Sequence, residues 1–232
     1  MNHLDGLNAA QREAVLTTEG PLLVLAGAGA GKTRVIVHRM LEIVKRGASP
    51  EQILAITFTN KSAGEMRERA MAMLEKHLGE PLGRRGRPFV STFHSLGLNI
   101  IKENSKLLGY KRMPAIYDRS DSQKAVKEAL KSLSIEELEP RAVLSFISRQ
   151  KGEGRIATEM ENGGENSRER MLVSAWRLYE ETLARDGALD FDDLLCRSVR
   201  FLENNKEARE AYQKRWPYIH VDEYQDTNKI QA

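Results

Sequence analysis

The stretch AGAGAGKT, residues 26–33, stands between an apolar hexapeptide, PLLVLA at 21–26, and a run whose apolar residues Val35, Ile36, Met40, Ile43 and Val44 recur at helical spacing. Glycines 27, 29 and 31 let the backbone curl so that successive N–H groups converge, a geometry suited to phosphate oxygens. The N-terminus of the following helix adds partial positive charge at the same point. In that setting Lys32 can neutralise β- and γ-phosphates, and Thr33 can offer its hydroxyl to Mg²⁺. The loop backbone of Ala26, Gly27, Ala28, Gly29, Ala30 and Gly31 forms the cradle. Ala26 replaces the first glycine of the general P-loop pattern. A flexible Gly/Ala turn is the plain alternative. The GKT ending between a strand-like and a helix-like run weighs against it.

Outward from this loop the same plan repeats. PLLVLA (21–26) reads as a strand buried on both faces, ILAITF (53–58) and YIHVD (218–222) as further buried strands, and FVSTF (89–93) as another strand. Helical patterns fill 5–17, 33–45, 61–77 and 95–107, with Asn60 as the expected cap of the third. Alternating strand and helix predicts parallel βα units in an α/β sheet with helices on both faces. From 114 to 189 the pattern changes to helices without a strong strand. Ser120-Asp121 and Glu139-Pro140 open two of them, and a long one over 168–185 ends at Gly187. The polar, glycine-containing stretch 151–167 reads as a mobile loop, and helices resume at 191–203 and 205–215. The organisation expected is therefore an α/β domain over 1–113, a helical insert over 114–189, and a return to the α/β domain over 190–232.

The second chemical signal is DEYQDTN (222–228), directly after the last apolar run. A strand ending in Asp-Glu can place the Asp on a metal ion and the Glu beside an attacking water. Asp222 is the expected metal ligand with Thr33. Glu223 is expected to polarise the water, and Gln225 could sense the γ-phosphate. An acidic pair at a strand end is more often a turn or cap. Combined with a P-loop on another strand it points to nucleoside triphosphate hydrolysis.

Composition bounds the rest. The 232 residues carry 41% hydrophobic and 30% charged residues and a net charge of +3, fitting a globular chain. Charge is uneven: 1–113 hold 17 Lys/Arg against 10 Asp/Glu, as a polyanion partner would need, although a solvated basic face gives the same count. No run reaches the ~18 apolar residues of a membrane helix. The N-terminus has no secretion pattern. The single Cys196 reads as a small buried residue in a reducing, cytoplasmic setting. The five histidines lack zinc-site spacing, and His220 reads as structural. Phe58, Thr59 and Asn60 in TFTNKSAGEM (57–66), and Thr92, Phe93 and His94 in TFHS (92–95), fall at C-terminal strand ends, where open α/β sheets bind ligands. Aromatics with polar donors suit single-stranded nucleic acid there, and core packing or capping explains them equally well. Taken alone, Gln11 and Arg34 read as surface helix residues.

In order and combination these blocks resemble the N-terminal part of superfamily 1 DNA helicases of the UvrD/Rep/PcrA type, over essentially the whole chain. LNAAQREAV (7–15) resembles the family's Q motif, implying that Gln11 reads adenine. AGAGAGKT with Arg34 resembles motif I, with Ala30 where Ser is usual. TFTNKSAGEM resembles motif Ia, with Ser62 where Ala is common, implying DNA contacts by Phe58, Thr59 and Asn60. STFHSLG (91–97) resembles a further DNA-contacting motif, implying roles for Thr92 and His94. LDFDDLL (189–195) resembles the block where the chain re-enters the first motor domain, and HVDEYQDTN (220–228) resembles motif II.

The resemblance implies a RecA-like domain interrupted by a helical subdomain, ATP and Mg²⁺ as cofactors, and 3′–5′ movement on single-stranded DNA, with action at single-strand/duplex junctions in repair or replication. It also implies a second RecA-like domain with arginine fingers, which residues 1–232 do not contain. This polypeptide is therefore expected to bind nucleotide weakly, hydrolyse little and not unwind. In similar folds the strand after motif II lies between the P-loop and motif II strands, so a central sheet position is expected to be empty. Two other readings remain: a helicase–nuclease subunit of recombination, and a single-stranded-DNA-binding module without ATPase activity. A GTPase is disfavoured, because NKSA at 60–63 lacks the Asp of a guanine-reading NKxD.

Overall fold

A computed structural model describes residues 3–27, 29–83, 86–160 and 166–232. The chain divides into two compact units, Met1–Phe93 with Lys206–Gln225, and His94–Asn205 with Asp226–Ala232.

The first unit is built on a parallel sheet. Strand β1 (Ile53–Thr57) is central, with β2 (Phe89–Thr92) on one side and β5 (Tyr218–Val221) on the other. Leu54 lies opposite Phe89, and Ile53 opposite Tyr218. All five residues of β1 are buried, as a central strand of apolar composition requires. Helices α2 (Lys32–Lys45) and α3 (Asn60–Leu78) pack on it through Val37, Met40, Leu41, Met66, Ala70 and Leu74. These positions recur at three- and four-residue intervals, so each helix presents one apolar stripe to the sheet. Helix α1 (Ala9–Leu16), opened by a capping box between Asn8 and Gln11, adds a smaller cluster of Leu7, Ala14, Val15 and Val35.

One expected strand does not form. Residues 21–26 pair with nothing as a strand, and Leu23 and Leu25 are 69% and 86% exposed. Apolar composition marks a segment that gains from burial, but a strand also needs a neighbour to take its N–H and C=O groups. The sheet ends at β5, and 21–26 is not laddered to it.

The second unit is helical. Helices α5 (Arg119–Ser132), α6 (Pro140–Gly152) and α7 (Ser167–Asp186) surround Val126, Val143, Ile147, Val173, Trp176 and Leu183. Helix α4 (Phe93–Glu103) leads in from β2, and α8 (Asp193–Asn204) leads towards α9 (Lys206–Arg215) of the first unit. Gly187 ends α7 in the left-handed conformation. Two two-residue strands, β3 (Ala115–Ile116) and β4 (Ala188–Leu189), pair in parallel. Gly97 of α4 lies so close to α8 that an added Cβ would stand 2.2 Å from the Leu194 carbonyl oxygen.

Local expectations need three more corrections. Thr59, not Asn60, caps α3: its hydroxyl accepts from Ser62 N–H at 3.0 Å, which leaves Asn60 as the first helical residue. Asp118 opens α5, in a capping box with Asp121. Lys151 is not in a loop. It closes the buried face of α6 with Val143, Ile147 and Gln150, at the same helical spacing, and is 2% exposed. Residues 161–165 of the expected loop lie outside the described residues.

Candidate active site

Helix α2 starts at Lys32, with Gly31 as its N-cap at φ +81°. Gly29 is also left-handed, at φ +75°. These two conformations turn the chain from 21–27 into the helix, and glycine adopts them without a Cβ clash. As a glycine, the N-cap makes no side-chain hydrogen bond to the first-turn N–H groups. Ala28 lies outside the described residues.

Around this turn the expected residues of the first unit converge. Lys32 Nζ donates to the carbonyls of Ala26 and Gly27 at 3.3 and 3.4 Å, folding its ammonium over the loop. Thr33 Oγ1 donates to Asp222 Oδ2 at 3.2 Å. Asp222 is placed by the sheet: its N–H continues the β1–β5 ladder to Ile56 O at 2.9 Å, and the residue is 7% exposed. A hydroxyl and a carboxylate this close form an oxygen donor set of the kind Mg²⁺ takes. Glu223 follows in the left-handed region at φ +56°, unusual for a residue with a side chain. Gln225 Nε2 donates to Glu223 Oε2 at 3.1 Å.

Gln11 reaches the loop from α1. Its Nε2 donates to Ala30 O at 3.0 Å while its Oε1 accepts from Asn8 N–H at 3.1 Å. Both ends of the amide are engaged, so the α1 capping box also braces the glycine loop. Arg34 reaches the turn before α1: a Cβ on Gly6 would lie 3.1 Å from its Nη2.

The residues expected to meet nucleic acid occupy the C-terminal ends of β1 and β2. Phe58 packs against Phe93 with ring centroids 5.5 Å apart. Asn60 is exposed, and Thr92 is buried in β2. In the second unit His94 stacks on Phe191, centroids 4.0 Å apart and planes at 24°. Burial holds the His94 imidazole below the ordinary histidine range. Phe191 was not singled out from the sequence. It is 57% exposed in an LDFDDLL block whose other residues, the half-buried Asp192 apart, are buried, and that break in burial is visible only in the fold.

A parallel sheet with a glycine loop running into a helix, beside a strand that ends in Asp-Glu, defines a P-loop-type α/β domain. The chain belongs to the UvrD/REP helicase N-terminal domain family, whose model matches residues 7–232. It is 40% identical over 231 residues to the ATP-dependent DNA helicase PcrA of Staphylococcus aureus (strain Mu50 / ATCC 700699), covering 98% of this chain and 31% of that protein. It is 41% identical over 229 residues to the ATP-dependent DNA helicase PcrA of Staphylococcus epidermidis (strain ATCC 12228 / FDA PCI 1200), covering 97% and 30% respectively. The chain thus spans under a third of the length of these relatives.

Proposed function

We propose that this chain is the ATP- and DNA-binding N-terminal part of a 3′–5′ DNA helicase that couples ATP hydrolysis to movement on single-stranded DNA and to unwinding at single-strand/duplex junctions in repair or replication. The observation that carries the reading is the Thr33–Asp222 contact, which brings the end of the glycine loop and the end of β5 to one point. In this reading residues 1–113 and 190–232 are parts of one RecA-like domain and 114–189 a helical insert. A cytoplasmic location belongs to the same reading. Among the described residues no helix is long and apolar enough to cross a membrane.

In this reading each residue has a role. The loop backbone of residues 26–31 and the start of α2 bind phosphates, and Lys32 exchanges its carbonyl partners for phosphate oxygens. Thr33 and Asp222 hold Mg²⁺, which when bound neutralises phosphate charge. Glu223 orients the attacking water and takes up its proton. Gln225, already bonded to Glu223, registers the γ-phosphate. Gln11 reads the adenine edge, with Arg34 near the nucleotide. Phe58, Thr59, Asn60, Thr92 and His94 meet single-stranded DNA. Residues 1–232 alone bind nucleotide but turn it over slowly, because a second RecA-like domain supplies arginine fingers of a kind worth about 10³–10⁵ in rate.

The test is Mg·ATP hydrolysis and nucleotide binding by this polypeptide, with and without single-stranded DNA, beside Lys32→Ala. Lys32-dependent binding with little turnover is the expected result. Binding indifferent to Lys32 sinks the P-loop assignment. DNA-stimulated turnover at helicase rates sinks the need for a second domain.

A further inference from the structure

The most buried cation of the second unit has no part in the nucleotide site. Lys151 Nζ stands 2.7 Å from Asp190 Oδ2, 3.0 Å from Asp193 Oδ1 and 2.8 Å from Glu180 Oε1. Tyr179 adds a hydroxyl donated to Asp190 Oδ2 at 3.0 Å, and Trp176 an indole N–H donated to Glu180 Oε1 at 3.0 Å. Arg197 Nε lies 3.3 Å from Asp193 Oδ1. Such a cluster is weak evidence for stability, because desolvation offsets much of the attraction. Its geometry is better evidence for a task.

Two of the three carboxylates belong to one tight turn. Asp193 N–H donates to Asp190 Oδ1 at 2.7 Å, and Asp190 N–H to Asp193 Oδ2 at 3.3 Å. Each carboxylate therefore closes the turn with one oxygen and grips Lys151 with the other. Between them sits Phe191, largely exposed and stacked on His94. Asp190, Phe191 and Asp192 also border a cavity of about 810 Å³ that includes Arg119 and Arg149 in its wall. On that side α6 holds the turn, through Lys151 and through the hydrogen bond between Ser148 and the Asp192 carboxylate.

We propose that Lys151 is a positioning residue: through Asp190 and Asp193 it sets the 190–193 turn so that Phe191 lies on His94 as a preformed platform for a base of single-stranded DNA. The platform's ligand rests on the reading that His94 meets DNA. The positioning itself does not. Pre-organising an aromatic surface removes the ordering that a base would otherwise impose on binding.

Two measurements on residues 1–232 test the two parts separately. NMR of the His94 ring protons reports the ring current of Phe191, with Phe191→Ala as the reference for its loss. Lys151→Met is expected to move these signals most of the way to the Phe191→Ala positions. A purely stabilising role lowers the melting temperature and leaves them unmoved, and that result overturns the positioning. Anisotropy of a labelled oligo-dT then measures affinity. Phe191→Ala and Lys151→Met are each expected to weaken binding roughly tenfold, the lower part of the range for one lost base stack. The double variant should be no weaker, because both act on one element. Multiplying losses overturn the coupling, and Phe191→Ala at wild-type affinity overturns the DNA platform whatever the NMR reports. If Lys151→Met does not fold, Asp190→Asn loosens the same grip with less change in shape, and the same two readouts decide.

Discussion

Thr33 and Asp222 meet at 3.2 Å although 189 positions separate them in sequence. One is the second residue of α2 and the other follows the last residue of β5, so the contact closes only when the loop, the helix and the sheet are all in place. In the proposed reading their oxygens are two of the ligands that would hold Mg²⁺. Thr33→Val keeps the shape and deletes the hydroxyl. Nucleotide affinity should fall at least roughly tenfold with Mg²⁺, since a lost hydrogen bond to a charged group is worth about 1.5–3 kcal/mol. With EDTA it should barely change. Titration of a fluorescent ATP analogue in both buffers checks this, and an equal loss in both would place the hydroxyl on the phosphates instead.

Gln11 braces Ala30 through Nε2 and closes the α1 cap through Oε1. If it also reads the base, Gln11→Ala should narrow the gap between ATP and GTP in competition binding. A uniform loss for both nucleotides would mean that the residue acts only through the loop.

Thr59 and Asn60 can be separated. Thr59→Ala removes the α3 cap and should lower stability by about 1 kcal/mol in denaturant unfolding. Asn60→Ala leaves the cap intact, so its expected effect is on single-stranded DNA affinity with stability nearly unchanged. The reverse pattern would contradict both assignments.

Gly97 admits no side chain. A Cβ there meets the Leu194 carbonyl at 2.2 Å, a backbone atom that cannot step aside without moving α8. Gly97→Ala is expected to destabilise the second unit by about 3 kcal/mol, the upper end for overpacking. Thermal unfolding followed by Trp176 fluorescence reads it, and a melting temperature within a degree of wild type would argue against this packing.

His220 supplies a pH dependence. Burial in β5, with Arg39 nearby, pushes its imidazole down to about 4 from an ordinary 6.5. Above the ordinary value both folded and unfolded chains hold it neutral, and it has no effect. As pH falls towards 4 the unfolded chain takes the proton and the folded chain does not, so stability is lost, by roughly 2 kcal/mol at pH 5. Other histidines shift too, so the measurement is a difference: His220→Val should lose less stability than wild type between pH 7 and pH 5. Parallel curves would show that the imidazole is not buried neutral.

The candidate site was legible because its chemistry is local in sequence. GKT and VDE are short words, and each falls where a strand gives way to helix or turn. The strands β1, β2 and β5 were legible from short runs rich in apolar and β-branched residues. The same rule failed at 21–26, because composition registers the gain from burial and says nothing about a pairing neighbour. Asn60 and Thr59 are both acceptable caps, and only the backbone turn at Thr57–Asn60 selects between them. Lys151 reads as polar beside glycines, yet α6 carries its spacing one turn further and folds three carboxylates around it. Phe191 drew no reading of its own from the sequence, because its exposure comes with the closed Asp190–Asp193 turn.

The unpaired stretch Leu22–Leu25 has a practical consequence. Four consecutive large aliphatic side chains are 40% to 86% exposed on a stretch paired in no strand, and β5 is an edge strand whose Ile219 is 62% exposed. Such a pairing of sticky ribbon and open edge is what neighbouring molecules use to zip together. In a concentrated preparation of this polypeptide, those four side chains and the open edge of β5 are where self-association is expected to begin.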